Sequence, residues 1–438
     1  MVLADATTDA ITTSVNSLWL LVAAALVLLM TPGVAFFYGG MVRAKSVISM
    51  MMMSFGAIAL IGVLWVLYGY SMSFSSGSDW LIPHVLGNPF ASPALIPQLT
   101  ASDGGPDLNA LAFAGFQATF AIITVALISG AIADRAKFGS WMIFAGIWAT
   151  VVYFPVASWV FNFTAGGKSD LGFHFGGHGY SDGGWIVQGL GVNDFAGGTA
   201  VHINAGAAGL ALALVLGKRV GFKKGMAAPH NVPLTLIGAS LLWFGWFGFN
   251  AGSEAGVDGI AALAWINTLA APAAATLGWL IAEKIKDGKP TSIGAASGAV
   301  SGLVAITPAC NILTPFWGMV LGIITGFVCA YAIDLKFRLG FDDSLDVVGV
   351  HFVGGWIGTL FIGFFGNGIG LFMTGNIYQL VVQFAGALAV SIWSFGIAWL
   401  LGTAIQKTIG FRITTEDEVA GVDTVVHGEE SYALDPAI

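Results

Sequence analysis

The sequence predicts an all-α polytopic membrane protein of eleven transmembrane helices, with the N-terminus outside and the C-terminus inside. Three observations carry this. Hydrophobic residues make up 56% of the 438-residue chain and charged residues only 9%, against about a quarter charged in soluble domains. Apolar runs close to the roughly 20 residues that a bilayer crossing needs follow one another without a polar domain between them. The basic residues then fall almost wholly on one side of the alternation that these runs define.

Residues 1–16 are polar, with Asp5 and Asp9 but no Lys or Arg. The basic segment of a cleaved leader is missing, so this stretch is expected to remain as an outer N-terminus. The spans lie near 17–39, 47–74, 112–133, 139–161, 195–217, 232–251, 259–282, 292–310, 314–334, 347–366 and 376–405, so one helical domain is expected over 17–405 and a polar, acidic tail over 406–438. With this count Arg43, Lys45, Arg135, Lys137, Lys218, Arg219, Lys223, Lys224, Lys284, Lys286, Lys289, Lys336, Arg338, Lys407 and Arg412 fall inside and Lys168 alone outside. A miscounted helix would scramble that pattern. The 61 glycines are interleaved with large apolar residues, as tight helix packing requires, and Gly318, Gly322 and Gly326 form two overlapping GxxxG patterns. Cys310 and Cys329 sit in apolar segments and read as small buried hydrophobes.

Acidic residues gather on the opposite side: Asp79, Asp103, Asp107, Asp170, Asp182, Asp194, Glu254 and Asp258. A negative mouth concentrates cations, although acidic loops also serve solubility. Two of the seven histidines, His202 and His351, lie inside apolar runs, whereas His84, His174, His178, His230 and His427 fall in polar sequence. An ionisable group at bilayer depth is costly and marks a pathway or a site. The two stretches echo each other, Asp194-Phe-Ala-Gly-Gly-Thr-Ala-Val-His202 and Asp346-Val-Val-Gly-Val-His351, and lie five crossings apart on oppositely directed helices. An inverted repeat of spans 1–5 and 6–10 follows, with the eleventh span outside it. Spacing leaves open whether the rings touch. If they do, a shared hydrogen bond sets both tautomers and the pair can hold or relay a proton; otherwise each histidine bridges helices separately.

Two histidines without a third ligand do not complete a zinc shell. HExxH, the phosphate loop GxxxxGK[ST] and the filter sequence TVGYG are absent from the sequence. Gly179-Tyr-Ser-Asp-Gly183 matches a nucleophile pattern but lies in a glycine-rich loop. Neither a metal nor any other cofactor is expected, nor is enzymatic activity. Aromatic clusters at Phe116-Gln-Ala-Thr-Phe120, Phe161 and Trp243-Phe-Gly-Trp246-Phe-Gly-Phe249 are more often core than site, yet beside an acidic mouth they could cage a cation. Such a cage is worth about 0.5–2 kcal/mol, while stripping an ion of water costs several kcal/mol. A cation that can surrender its proton escapes that penalty, and ammonium fits.

The motifs Thr31-Pro-Gly-Val-Ala-Phe-Phe-Tyr-Gly-Gly40, Asp194 to Asn204, Gly245-Trp-Phe-Gly-Phe-Asn-Ala-Gly-Ser253 and Asp346 to His351 stand in an order that resembles the Amt/Mep/Rh ammonium transporters, on the bacterial and plant Amt side. The resemblance runs over nearly the whole chain. It implies a homotrimer of eleven-helix subunits in the plasma (cell inner) membrane, each with its own pore for ammonium and methylammonium. It further implies an outer recruitment site at Phe120, Phe161 and Ser253, a stacked gate of Phe116 and Phe249, and pore-lining twin histidines, His202 and His351. Asp194 resembles the family carboxylate near the outer site, as a helix N-cap or as an electrostatic partner of the ion. Phe161 stands where many relatives carry tryptophan. The 406–438 tail is similar to the cytoplasmic C-terminus linked in the family to PII-type regulatory proteins; lipid is the other expected partner, and nucleic acid is not. A sensor that signals through the tail with little flux is the competing reading.

Overall fold

The structure, a computed structural model, describes residues 2–100, 105–163, 183–222 and 228–432. Lys168, Lys223, Lys224, Asp103, Asp170, Asp182, His174 and His178 lie outside the described residues, as does most of the Gly179–Gly183 motif. The fold is nearly all helical. Among the described residues ten helices are long and apolar enough to cross a membrane: α1 (Ala10–Met41), α2 (Ala44–Ser73), α3 (Leu108–Ile132), α4 (Phe138–Val160), α5 (Gly198–Leu216), α6 (Val232–Gly252), α7 (Gly259–Lys286), α9 (Pro315–Leu339), α10 (Val348–Phe365) and α11 (Tyr378–Thr408). A shorter apolar helix, α8 (Ser292–Ile306), lies between α7 and α9. A small antiparallel pair, Trp80–Ile82 with Leu86–Gly87, caps the loop after α2.

The eighth apolar run ends earlier than expected. Beyond Ile306 the chain turns through Thr307 to Leu313, with Ala309 N bonded to Ile306 O and Leu313 N to Ala309 O. Most of this turn is buried, which explains its span-like composition. Its carbonyls are met by side-chain amides: Asn267 Nδ2 reaches Cys310 O and Leu313 O, both at 2.8 Å, and Asn193 Nδ2 reaches Pro308 O at 2.9 Å. Buried carbonyls outside a regular helix need such partners.

Close helix approach follows from missing side chains. A Cβ on Gly322 would lie 2.1 Å from Ala271 O, and one on Gly326 2.0 Å from Ala275 O. The overlapping GxxxG pattern is therefore the seam between α9 and α7. The two halves meet where α1 runs along α6 and where α5 and α10 converge, the places that a pairing of spans 1–5 with 6–10 makes equivalent.

The basic end of the bundle is closed by charged loops and by the tail. Arg219 forks onto Asp342 with Nε to Oδ2 at 2.9 Å and Nη2 to Oδ1 at 2.8 Å, and it reaches Asp134 Oδ2 at 3.0 Å. The buried Arg135 guanidinium donates to the carbonyls of Ala131 at 3.1 Å and Asp342 at 2.6 Å. Burial alone would raise the Asp342 carboxyl, but the bond and charge of Arg219, with Arg135 behind it, hold it below the usual range. A carboxylate depressed in the fold contributes stability that is present above its unfolded pKa of about 3.9 and is lost as pH falls through the folded value. Asp342→Asn strands buried cations and is expected to cost about 3 kcal/mol, read as a lowered thermal midpoint of the purified protein at pH 7.

The tail lies on this end up to Tyr432. Ile413 N bonds Arg135 O at 3.0 Å and Lys137 N bonds Phe411 O at 2.8 Å. A six-residue helix, α12 (Thr415–Ala420), follows. Glu418 joins Arg412 Nη2 at 2.8 Å and Val220 N at 2.6 Å, and Asp423 accepts from Ile48 N at 3.0 Å and Ser49 N at 2.8 Å. A polar, acidic composition is by itself that of a solvated segment, but here the buried acids Glu418 and Asp423 serve as the tail's anchors.

Candidate functional site

Two helices open on π-helical turns, Gly198–Ile203 in α5 and Val348–Phe352 in α10, and each turn carries its histidine. Such turns are rare and concentrate at functional sites. An aspartate holds each one. Asp194 accepts from the amides of Gly197 at 3.1 Å, Thr199 at 2.8 Å and Ala200 at 3.1 Å, and from Gly198 N and the Thr199 hydroxyl. Gly197 occupies the N-cap position, and the Asp194 carboxylate three residues before it takes up the free amides that an N-cap side chain would otherwise accept. In the second half Asp343 accepts from Val347 N at 3.1 Å and Val348 N at 2.7 Å.

The anchor equivalent to Asp194 is thus Asp343 and not Asp346. Asp346 has a left-handed backbone, φ 63°, and its carboxylate takes Lys336 Nζ at 2.5 Å. The signal was in the spacing, since Asp194 precedes His202 and Asp343 precedes His351 by the same eight residues.

The histidines meet. Their ring centroids lie 5.3 Å apart with planes 20° from parallel, and the two Nδ1 atoms are 3.3 Å apart. Only one Nδ1 can donate to the other, so the two rings hold different hydrogen-bonding roles. Trp246, which the sequence placed in an aromatic cluster without a role, stacks on His202 at 5.3 Å and 21°. Its Nε1 is fixed on Thr307 Oγ1 at 2.8 Å. His202 Nε2 is buried without a hydrogen-bond partner.

Both histidines line a narrow cavity with Tyr38, Trp246, Phe249 and aliphatic side chains. The space open to the centre of a water-sized sphere is about 10 Å³, the smallest that admits one such molecule. A single small neutral species fits it; a hydrated ion does not.

Against this cavity sits a stacked phenyl pair. Phe120 and Phe249 have centroids 4.1 Å apart and planes 15° from parallel. The expected stack of Phe116 on Phe249 is corrected: Phe116 is one helical turn before Phe120, tilted 58° from it at 4.8 Å. Phe116 instead lies beside Gly252, where an added Cβ would come 2.9 Å from its ring, at the level of Ser253. Ser253 Oγ donates to Phe249 O at 2.8 Å. Phe161 meets Phe120 edge-on at 5.9 Å. The expected phenyl and imidazole side chains therefore form one column of rings ending at the histidines, with Ser253 bonded to its backbone at Phe249 and Asp194 holding the histidine's turn. Among the described residues no three His, Cys, Asp or Glu side chains come together as a metal site.

Residues 18–432 match the family model described as Ammonium Transporter Family. The chain belongs to the ammonium transporter family. It is 49% identical to an ammonium transporter of Mycobacterium tuberculosis (strain H37Rv) over 95% of this chain and 90% of the relative. To an ammonium transporter of Bacillus subtilis (strain 168) it is 41% identical over 95% and 98%. Saccharomyces cerevisiae Mep2 matches with a TM-score of 0.79 and 31% identity, over 92% of this chain and 88% of that one. A protein described as a sensor Amt protein matches with a TM-score of 0.83 and 27% identity, over 96% and 100%. These ammonium transporter relatives are named as transporters rather than enzymes, and the chain is a multi-pass membrane protein like the family fold it shares.

Proposed function

We propose that this chain moves ammonium-derived nitrogen across the plasma membrane, from the acidic face of the bundle to the basic face. The observation that carries the reading is the imidazole pair lining a cavity too small for a hydrated ion, against a stacked phenyl pair. Ammonium is recruited as a cation against Phe116, Phe161 and the Ser253 hydroxyl. It passes Phe120 and Phe249 when their rings part, and sheds its proton toward the histidine pair before crossing the apolar cavity. A neutral molecule avoids the desolvation cost of an ion there.

The expectations of an outer N-terminus, an inner C-terminus, a homotrimer and a PII-type partner at the tail belong to this reading, with methylammonium as a second substrate. Uptake of labelled methylammonium by a strain lacking its own transporters tests it; uptake no higher than in the empty strain would overturn it. Phe161→Leu removes one aromatic face and is expected to raise KM for methylammonium about threefold or more while leaving kcat near wild type.

The likeness to a protein described as a sensor favours a second reading, in which ligand occupancy is passed to the folded tail with little flux. It predicts ligand-dependent binding of a partner while flux into liposomes stays at background.

A further inference from the structure

Glu254 is an acidic side chain of the outer loops that the proposed pathway does not use. It follows Ser253 directly, at the end of α6, and is 6% exposed. Its Oε2 is buried without a hydrogen-bond partner. The Asp258 carboxyl is its acidic neighbour, and Asp258 caps α7 by accepting from Ile260 N at 2.8 Å and Ala261 N at 3.0 Å. The surroundings of Glu254 further hold the Cys310 thiol, itself near Asp194. Among the described residues Glu254 forms no ion pair with Lys, Arg or His.

We propose that Glu254 is a further cation-binding residue of the outer mouth, which takes ammonium or methylammonium against its carboxylate in exchange for a proton. The inference rests on the recruitment of a cation beside Ser253. The step balances: the protonated carboxyl and the free cation become a carboxylate–cation pair and one released proton. A buried carboxyl lacking a protein cation among the described residues gains from an incoming one. Burial, then the charge of Asp258, push the Glu254 carboxyl up to about 8. Binding is therefore weakest in acid and rises as the proton becomes easier to displace.

Infrared difference spectra of the purified full chain at pH 7, with and without ammonium chloride, test the exchange directly. Ammonium is expected to bleach a protonated-carboxyl band in wild type and in Glu254→Asp, but not in Glu254→Gln; potassium chloride is the control. Tracer uptake supplies the second measurement. The wild-type KM for methylammonium is expected to fall by up to about tenfold per pH unit below the carboxyl midpoint and to level off above it. Glu254→Gln is expected to show a flat profile at unchanged kcat, and Glu254→Asp to restore the slope. A band that ignores ammonium, or a Glu254→Gln protein that keeps the wild-type profile, overturns the proposal. Bleaching without uptake sinks the transport reading alone; uptake without bleaching sinks this one.

Discussion

Combining His202→Ala with His351→Ala is expected to lower methylammonium uptake about 100-fold or more, with unchanged amounts of folded protein in the membrane. Positioned proton acceptors contribute roughly 10²–10⁴ in rate, and among the described residues no other ionisable side chain but Tyr38 lines the cavity. Tyr38 is held elsewhere, its hydroxyl donating to Leu127 O at 3.1 Å. The single changes differ from the double one, because each strands the remaining Nδ1 without its 3.3 Å partner. An unsatisfied buried polar atom costs about 1–3 kcal/mol, so each single variant is also expected to lose thermal stability. Uptake is measured by tracer and folding by size-exclusion profile in detergent. Wild-type uptake by the double variant would remove the histidines from the mechanism. Current recording on reconstituted protein then tells whether charge accompanies the nitrogen.

Asp194→Ala is the second large effect, and it is an effect on folding. Five donors converge on one carboxylate. A cap of ordinary strength is worth about 0.5–2 kcal/mol, and bonds to a charged group about 1.5–3 kcal/mol each without full additivity. The loss is expected to reach about 3 kcal/mol or more, with little folded protein recovered. Asp343→Ala, which loses two amide partners, is expected to cost about 1–2 kcal/mol by the same scale. Asp194→Asn keeps one acceptor oxygen and is expected to fall between wild type and Asp194→Ala. A thermal midpoint of Asp194→Ala equal to wild type, with a raised KM, would mean that the carboxylate acts on the cation and not on the helix.

Much of the fold was legible because apolar runs and basic residues report on the bilayer directly. His202 and His351 stood out for the same reason, as costly groups in greasy sequence. What failed to show depended on contacts between distant segments. The Thr307–Leu313 turn resembled the end of a span because its polar demands are met by Asn267 and Asn193, which lie far away in sequence. Phe116 and Phe120 share one helix and one residue type, so only the placement of Phe249 and Gly252 on α6 tells which ring stacks and which lies beside Ser253. Asp346 drew attention as part of a tidy motif, although Asp343 has the matching interval. Glu418 and Asp423 looked like tail solubility because their partners, Val220, Ile48 and Ser49, belong to other loops.

The π turns turn chain length itself into an inherited constraint. Each residue advances an α-helix by about 100°, and a π turn carries an additional residue within its loop. Deleting any one position from Gly198 to Val201 would let the turn relax to ordinary geometry, yet it would swing the imidazole around the axis and away from its counterpart. Insertions and deletions there should be tolerated less than almost any exchange of side chain. Descendants of this chain are therefore expected to vary in letters between aspartate and histidine while keeping the count.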